Sequence, residues 1–129
     1  MSGKVGHFEL PADDTKRAKK FYAATFGWKY SEVPGMEYTM VRTGTVDDQG
    51  MPNEPGVIGG AIAKREGNLM HPVITIMVDE ISAVEKVIEK NGGKIILRKQ
   101  AIGDGSMGHM GYFKDSEGNI VGLYQMPTP

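Results

Sequence analysis

In a chain of 129 residues without a single cysteine, acid–base or metal chemistry falls to histidine, carboxylates and hydroxyls. Two such groups stand two residues apart near the start, His7 and Glu9 in KVGHFELP. Successive side chains of a strand point to opposite faces, so His7 and Glu9 share one face while Phe8 and Leu10 share the other. Three chemistries suit the pair. One divalent cation can bridge both groups, a general base can work beside a carbonyl, or the two can form a hydrogen-bonded pair of purely structural purpose. A transition-metal site ordinarily takes three protein ligands, and the remaining histidines are His71 and His109, the latter in a glycine-rich run. An inward carboxylate is costly unless paired or wet, so Glu9 calls for a polar ligand, a base role or a salt-bridge partner.

The elements that must hold these residues come in two copies. Asp14 to Lys29 (DTKRAKKFYAATFGWK) and Asp79 to Lys94 (DEISAVEKVIEKNGGK) place Asp, Ala, Gly and Lys at matching offsets, 65 residues apart by the difference of 79 and 14. Each copy follows a strand-like run and precedes more of them, so the repeating unit is a strand, a helix and several strands. The first strand covers about 4–11. Asp13 or Asp14 caps a helix whose apolar stripe is Ala18, Phe21, Tyr22 and Thr25, and Gly27 ends it. Strands over 28–33 and 36–43 flank Pro34-Gly35, a type II turn signal. After a loop over 44–56, a strand over 56–64 carries adjacent glycines that indicate a bulge or a close backbone approach.

In the second copy, 71–78 alternates Ile74, Ile76 and Val78 against Val73, Thr75 and Met77. Asp79 is the expected cap of a helix with Ile81, Val84, Val87 and Ile88 buried, and Asn91-Gly92-Gly93 stops it. Strands over 94–98, 108–114 and 120–126 follow, the last two joined by the Asp115–Asn119 turn. The run 102–111 reads as a mobile loop. No linker divides the chain, which reads as a single domain over 1–129, with modules at about 1–65 and 66–129.

Fifteen basic residues balance sixteen acidic ones for a net charge of −1, which offers no broad field for nucleic acid or an anionic membrane. Lys16, Arg17, Lys19 and Lys20 fit the polar side of the first helix. No segment reaches the roughly 20 apolar residues of a membrane span. Without a signal-type apolar run or cysteines, the expected compartment is the cytoplasm.

HFELPADDTKRAKKFYAATFGWK, DEISAVEKVIEKNGGK and GYFKDSEGNIVGLYQ together resemble the vicinal oxygen chelate superfamily of glyoxalase I, bleomycin-resistance proteins and extradiol dioxygenases. The resemblance implies an α+β fold of two βαβββ modules, a curved, mostly antiparallel sheet around a cavity, commonly completed by dimerisation. It also implies a divalent metal held by His and Glu from several strands. His7 matches the first ligand position. The last-strand Glu would fall four residues after Gly118, where Gly122 stands, and the closing strand of the first module (VIGGAIA) contains no Glu. On the fifth strand the ligand position falls near Val73, two residues from His71.

The resemblance therefore implies a metal-independent protein that binds or sequesters a small molecule in the manner of bleomycin-resistance members, without a cofactor. The alternative is a metal-dependent lyase or dioxygenase acting on a small carbonyl or vicinal-oxygen substrate, its metal held by His7, Glu9 and His71. The expected ligand pocket comprises His7, Glu9, Trp28, Tyr38, Thr75, Met77 and Tyr124, with Met40 beside them. The competing structural reading packs Trp28 under the helix end, and it leaves His109 as an exposed loop residue or a lid. The expected partners are a small-molecule ligand and a second copy of the chain, not nucleic acid or a membrane.

Overall fold

The computed structural model describes residues 2–128 and resolves a mixed α+β chain, β1 (Lys4–Ala12), α1 (Thr15–Phe26), β2 (Lys29–Glu32), β3 (Tyr38–Arg42), β4 (Gly59–Lys64), β5 (Val73–Met77), α2 (Ile81–Lys90), β6 (Lys94–Ala101), β7 (His109–Lys114) and β8 (Ile120–Gln125). The order is βαβββ twice, as the repeat implies. Residues 7–73 form one compact unit, and residues 2–6 together with 74–128 form another.

In the first unit the strands lie in the order β2-β3-β4-β1, with β1 parallel to β4 and the other pairs antiparallel. Asp14, not Asp13, caps α1, accepting the Arg17 N–H at 3.0 Å, and Gly27 closes the helix with φ of 75°. The sequence has no acidic residue in the first turn, so the cap is the principal electrostatic help at that end. Pro34-Gly35 makes the expected turn, with Gly35 at φ 77° and Met36 N donating to Val33 O at 3.1 Å. Ala12, Val41 and Ile62 form the core with Phe8, Leu10, Ala18, Tyr22, Trp28 and Tyr30 packed against it. Full burial of a side chain such as Ile62 is worth about 1.5–3 kcal/mol. Phe21, placed in the stripe by its spacing, is instead 56% exposed, because α1 rests on the sheet along Ala18 and Tyr22.

The glycines of β4 serve a close approach. The strand keeps unbroken register with both β1 and β3, and a Cβ on Gly60 would stand 2.5 Å from three ring atoms of Phe8. Phe8 thereby packs closely on the strand and reaches Trp28, whose indole stacks on Tyr22 at a ring separation of 4.5 Å.

The second unit repeats the plan in the order β5-β8-β7-β6, with β5 parallel to β8 and the rest antiparallel. Its core is Val78, Ile81 and Leu123 with Ile76, Val84, Ile88 and Phe113. Three expectations for α2 change. Glu80 is the cap, its side chain accepting the Ser82 N–H at 3.1 Å, and Gln125 Oε1 accepts the Ile81 N–H at 2.9 Å, so one strand and one loop residue satisfy the helix's first donors. Val87 is exposed while Glu85 is buried, since positions 81, 84, 85 and 88 face the sheet. Gly92 at φ 92°, not Asn91, supplies the left-handed turn. The stretch 102–108 is a compact knot of turns, held by Ile102 N donating to Gly108 O at 3.0 Å and by the Tyr124 hydroxyl donating to Met107 O at 2.6 Å.

Candidate functional site

Alternation along β1 sends Phe8 and Leu10 into the helix-covered core and leaves His7 and Glu9 on the other face. Register with β4 sets Glu9 beside Ala61 and His7 beside Gly59, small neighbours that leave room above the sheet. From β3, Tyr38 stands beside Ala63 and reaches back along that face. Its hydroxyl donates to Glu9 Oε2 at 3.1 Å and lies 2.9 Å from His7 Nε2, with the two rings nearly parallel. Glu9 is only 6% exposed, and this hydroxyl meets the requirement that a buried carboxylate be hydrogen bonded. Burial holds the His7 imidazole below its ordinary range, and the charge of Glu9 offsets part of that shift.

Trp28 is on the opposite face of the same strands, in the core against Tyr22 and Phe8, so its packing accounts for it. Thr75, Met77 and Tyr124 belong to the second unit, where β5 and β8 set Thr75 beside Gly122 and Met77 beside Tyr124 on one sheet face. The antiparallel partner β7 adds Met110 opposite Tyr124 and Tyr112 opposite Gly122 to that face, two residues the sequence reading passed over. Their period-two spacing was the available signal. Burial raises the Tyr124 phenol above its usual range. His71 is exposed, and His109 begins β7 and carries a buried Nδ1 without a partner among the described residues.

A cavity of about 330 Å³ in the first unit lies on the helix-side face, lined by Asp13, Thr15, Glu32, Met36, Glu37, Thr39, Ile62 and Lys64. Its acidic groups are largely spoken for: Asp13 pairs with Arg65 at 3.1 Å, and Glu32 pairs with Lys19 at 2.9 Å and accepts from Thr39. It is away from His7 and Glu9, and the convergent hydrogen bonds of the latter pair with Tyr38 make the stronger candidate site.

The arrangement can be tested against a divalent ion. Zinc sits about 2.0–2.2 Å from its nitrogen and oxygen ligands. Here the nearest His7 nitrogen and Glu9 oxygen both face a protein hydroxyl at hydrogen-bond distance. At position 122, an added Cβ would stand 2.8 Å from Thr75 Oγ1 and 3.5 Å from Tyr112 Cε1, so neighbouring side chains fill the space a carboxylate stem would need. Among the described residues no group of three or more His, Asp or Glu side chains is arranged to hold an ion. The residues as arranged do not fit the three-ligand site that the resemblance implies.

Two βαβββ units, each joining a parallel strand pair to an antiparallel meander, define a glyoxalase-type fold. Residues 4–44 match the family described as bleomycin resistance protein-like N-terminal. A glyoxylase-like domain-containing protein of Didymella fabae is 29% identical over 129 residues, covering 98% of this chain and 97% of that protein. CFP32 of Mycobacterium bovis, whose name likens it to glyoxylases, is 32% identical over 95% of this chain, which spans 46% of that protein's length. Among solved structures, a variant of Streptomyces coelicolor methylmalonyl-CoA epimerase in complex with 2-nitronate-propionyl-CoA superposes with a TM-score of 0.68 at 14% identity, covering 99% of this chain and 100% of that one. A hypothetical protein of Bacillus halodurans gives a TM-score of 0.67 at 14% identity over 100% and 98%. The chain is similar to the glyoxalase and bleomycin-resistance-like proteins of the vicinal oxygen chelate superfamily. Among the described residues no helix is long and apolar enough to cross a membrane.

Proposed function

We propose that this chain is a single glyoxalase-like domain over residues 1–129 that binds or sequesters a small molecule without a metal, as a cytoplasmic homodimer. The observation that supports the metal-independent part is the packing at Gly122, where Thr75 and Tyr112 take the space from which a β8 carboxylate would reach a cation. Without an electrophile to polarise a substrate oxygen, the remaining capacity is recognition by shape and a few polar groups. His7, Glu9 and Tyr38 supply the polar groups in one unit. Thr75, Met77 and Tyr124 supply a mixed apolar and hydroxyl face in the other. The balanced charge and the absence of cysteine agree with the proposed compartment.

The test is metal analysis of the purified protein together with thermal melting in the presence and absence of EDTA, and with bleomycin as the first ligand probe. The reading expects less than stoichiometric metal, a melting temperature unmoved by EDTA, and a rise with a bound ligand, since a ligand that favours the native state stabilises it. One tightly held divalent ion per chain, lost in His7→Ala, would replace this reading with a metal-dependent lyase or dioxygenase. Sedimentation checks the dimer.

A further inference from the structure

Alternation along β2 and β3 places two cations on the sheet face that carries His7 and Glu9. Tyr30 and Val41 pack into the core, so their neighbours Lys29 and Arg42 stand on the opposite face, where strand register sets them directly against each other. Like charges opposed in this way cost a sheet stability. Among the described residues neither side chain has a carboxylate or other hydrogen-bond partner, although Arg42 is half-buried. The loop over 44–56 bends across this end of the face. A Cβ on Gly50 would stand 3.8 Å from Arg42 Nη2, and one on Gly59 would stand 3.9 Å from Pro52 Cγ. The loop's Asp47 turns Oδ1 to its own backbone, accepting the Gln49 and Met51 N–H groups at 2.9 and 3.0 Å.

Gly59 joins this pair to the site formed by His7, Glu9 and Tyr38. Val41 pairs with Gly60, which brings Arg42 alongside Gly59, and Gly59 pairs in turn with His7. Arg42 and His7 thus flank a residue without a side chain, two strand spacings or about 9–10 Å apart. The neighbouring row holds Met40, Ala61 and Glu9 in the same order. We propose that Arg42 is the anion-binding residue of this site, with Lys29 as an outer second cation, and that the ligand is a small molecule bearing one carboxylate on an apolar body. The proposal rests on the reading of this face as a small-molecule site and not on its metal content. A guanidinium meets a carboxylate with two parallel N–H donors. Met40 and Ala61 give the apolar body a floor, and the charge of Glu9 on the same face selects against a dianion.

Benzoate and benzamide, alike in shape and different in charge, are the probes, with phenylphosphonate as the dianion, and calorimetric titration of the full chain is the measurement. Benzoate is expected to bind at least about tenfold more tightly than either of the others, the effect of a hydrogen bond to a charged group. Arg42→Gln should remove that advantage and leave benzamide binding unchanged. Arg42→Lys, which keeps the charge without the planar fork, should retain part of it. Equal binding of benzoate and benzamide, binding of neither, tighter binding of phenylphosphonate, or an advantage that survives Arg42→Gln overturns the proposal. In each of those cases a melting temperature raised by bleomycin leaves the proposed function standing. A divalent ion lost in His7→Ala overturns the metal-independent reading and leaves the contrast between benzoate and benzamide to judge Arg42. Where Arg42→Gln fails to fold, the wild-type contrast and Arg42→Lys decide the matter.

Discussion

The Glu85 carboxylate reaches from the sheet-facing side of α2 to accept the backbone N–H of Lys99 at 2.7 Å. It does so where β6 loses regular register against β7, with shifts between Ile95 and Leu97 and again between Leu97 and Gln100. A bulge leaves strand groups without ladder partners, and Glu85 meets one of them; Arg98 approaches its other oxygen at 3.9 Å. Glu85→Ala should therefore destabilise by about 1–3 kcal/mol through an orphaned, partly buried N–H and a small cavity. Glu85→Gln, which keeps an acceptor, should cost less. Urea unfolding of both variants measures this, and equal midpoints for wild type and Glu85→Ala would show that the contact contributes nothing.

Gly60 and Phe8 should behave as one unit. Gly60→Ala puts a methyl into the Phe8 ring, which cannot move freely because Trp28 and Ile62 surround it, so a loss of about 1–3 kcal/mol is expected. Phe8→Leu alone should also destabilise by leaving space. The double variant should be less damaged than the sum of the two, since the smaller side chain makes room for the methyl, and a thermal-unfolding cycle in which the effects simply add would contradict this packing.

The fold could be read from the sequence because its signals are local. A period of two on β1 separates His7 and Glu9 from Phe8 and Leu10, and the cap and stop of α1 are residue types with strong preferences, Asp14 and Gly27. Glu80 was missed because Asp79 beside it is the commoner capping type, and Glu85 because a hydrophobic stripe was sought where geometry selects by angle, not by polarity. The site was only half legible. Nothing in the spacing of Tyr38 joins it to residues 29 and 31 positions away, since that contact exists only after β3, β4 and β1 pair in register.

Stability should depend on pH through His7. Its folded pKa lies below the ordinary value of 6.5, so between those two values the unfolded chain binds the proton and the folded chain does not. The contribution is complete above about pH 6.5 and is lost as pH falls through that window. Glu32, Glu80 and Asp115, all held below their ordinary range chiefly by hydrogen bonds, lose theirs at lower pH, beneath the usual carboxylate values. Urea midpoints followed downward from about pH 8 should fall in wild type before the carboxylates titrate, and that first fall should be absent in His7→Gln. An unchanged profile in the variant would remove His7 as its source.

The turns over 102–108 are expected from composition to be mobile, yet Tyr124 ties them to β8 through its bond to Met107 O at 2.6 Å. Half-buried phenols of this kind contribute about 1 kcal/mol net, too little to hold the global fold but enough to set how often one loop opens. Tyr124→Phe should leave the overall melting temperature nearly unchanged while the amides of Gly105 and Gly108, which donate to Ile102 O and Gly105 O, exchange with solvent about five- to tenfold faster. Hydrogen exchange resolved to peptides covering 102–108 makes the distinction. Equal exchange in the two proteins would mean that the three internal turn bonds hold the loop without the tyrosine, and faster exchange throughout β8 would mean that the phenol supports the strand instead.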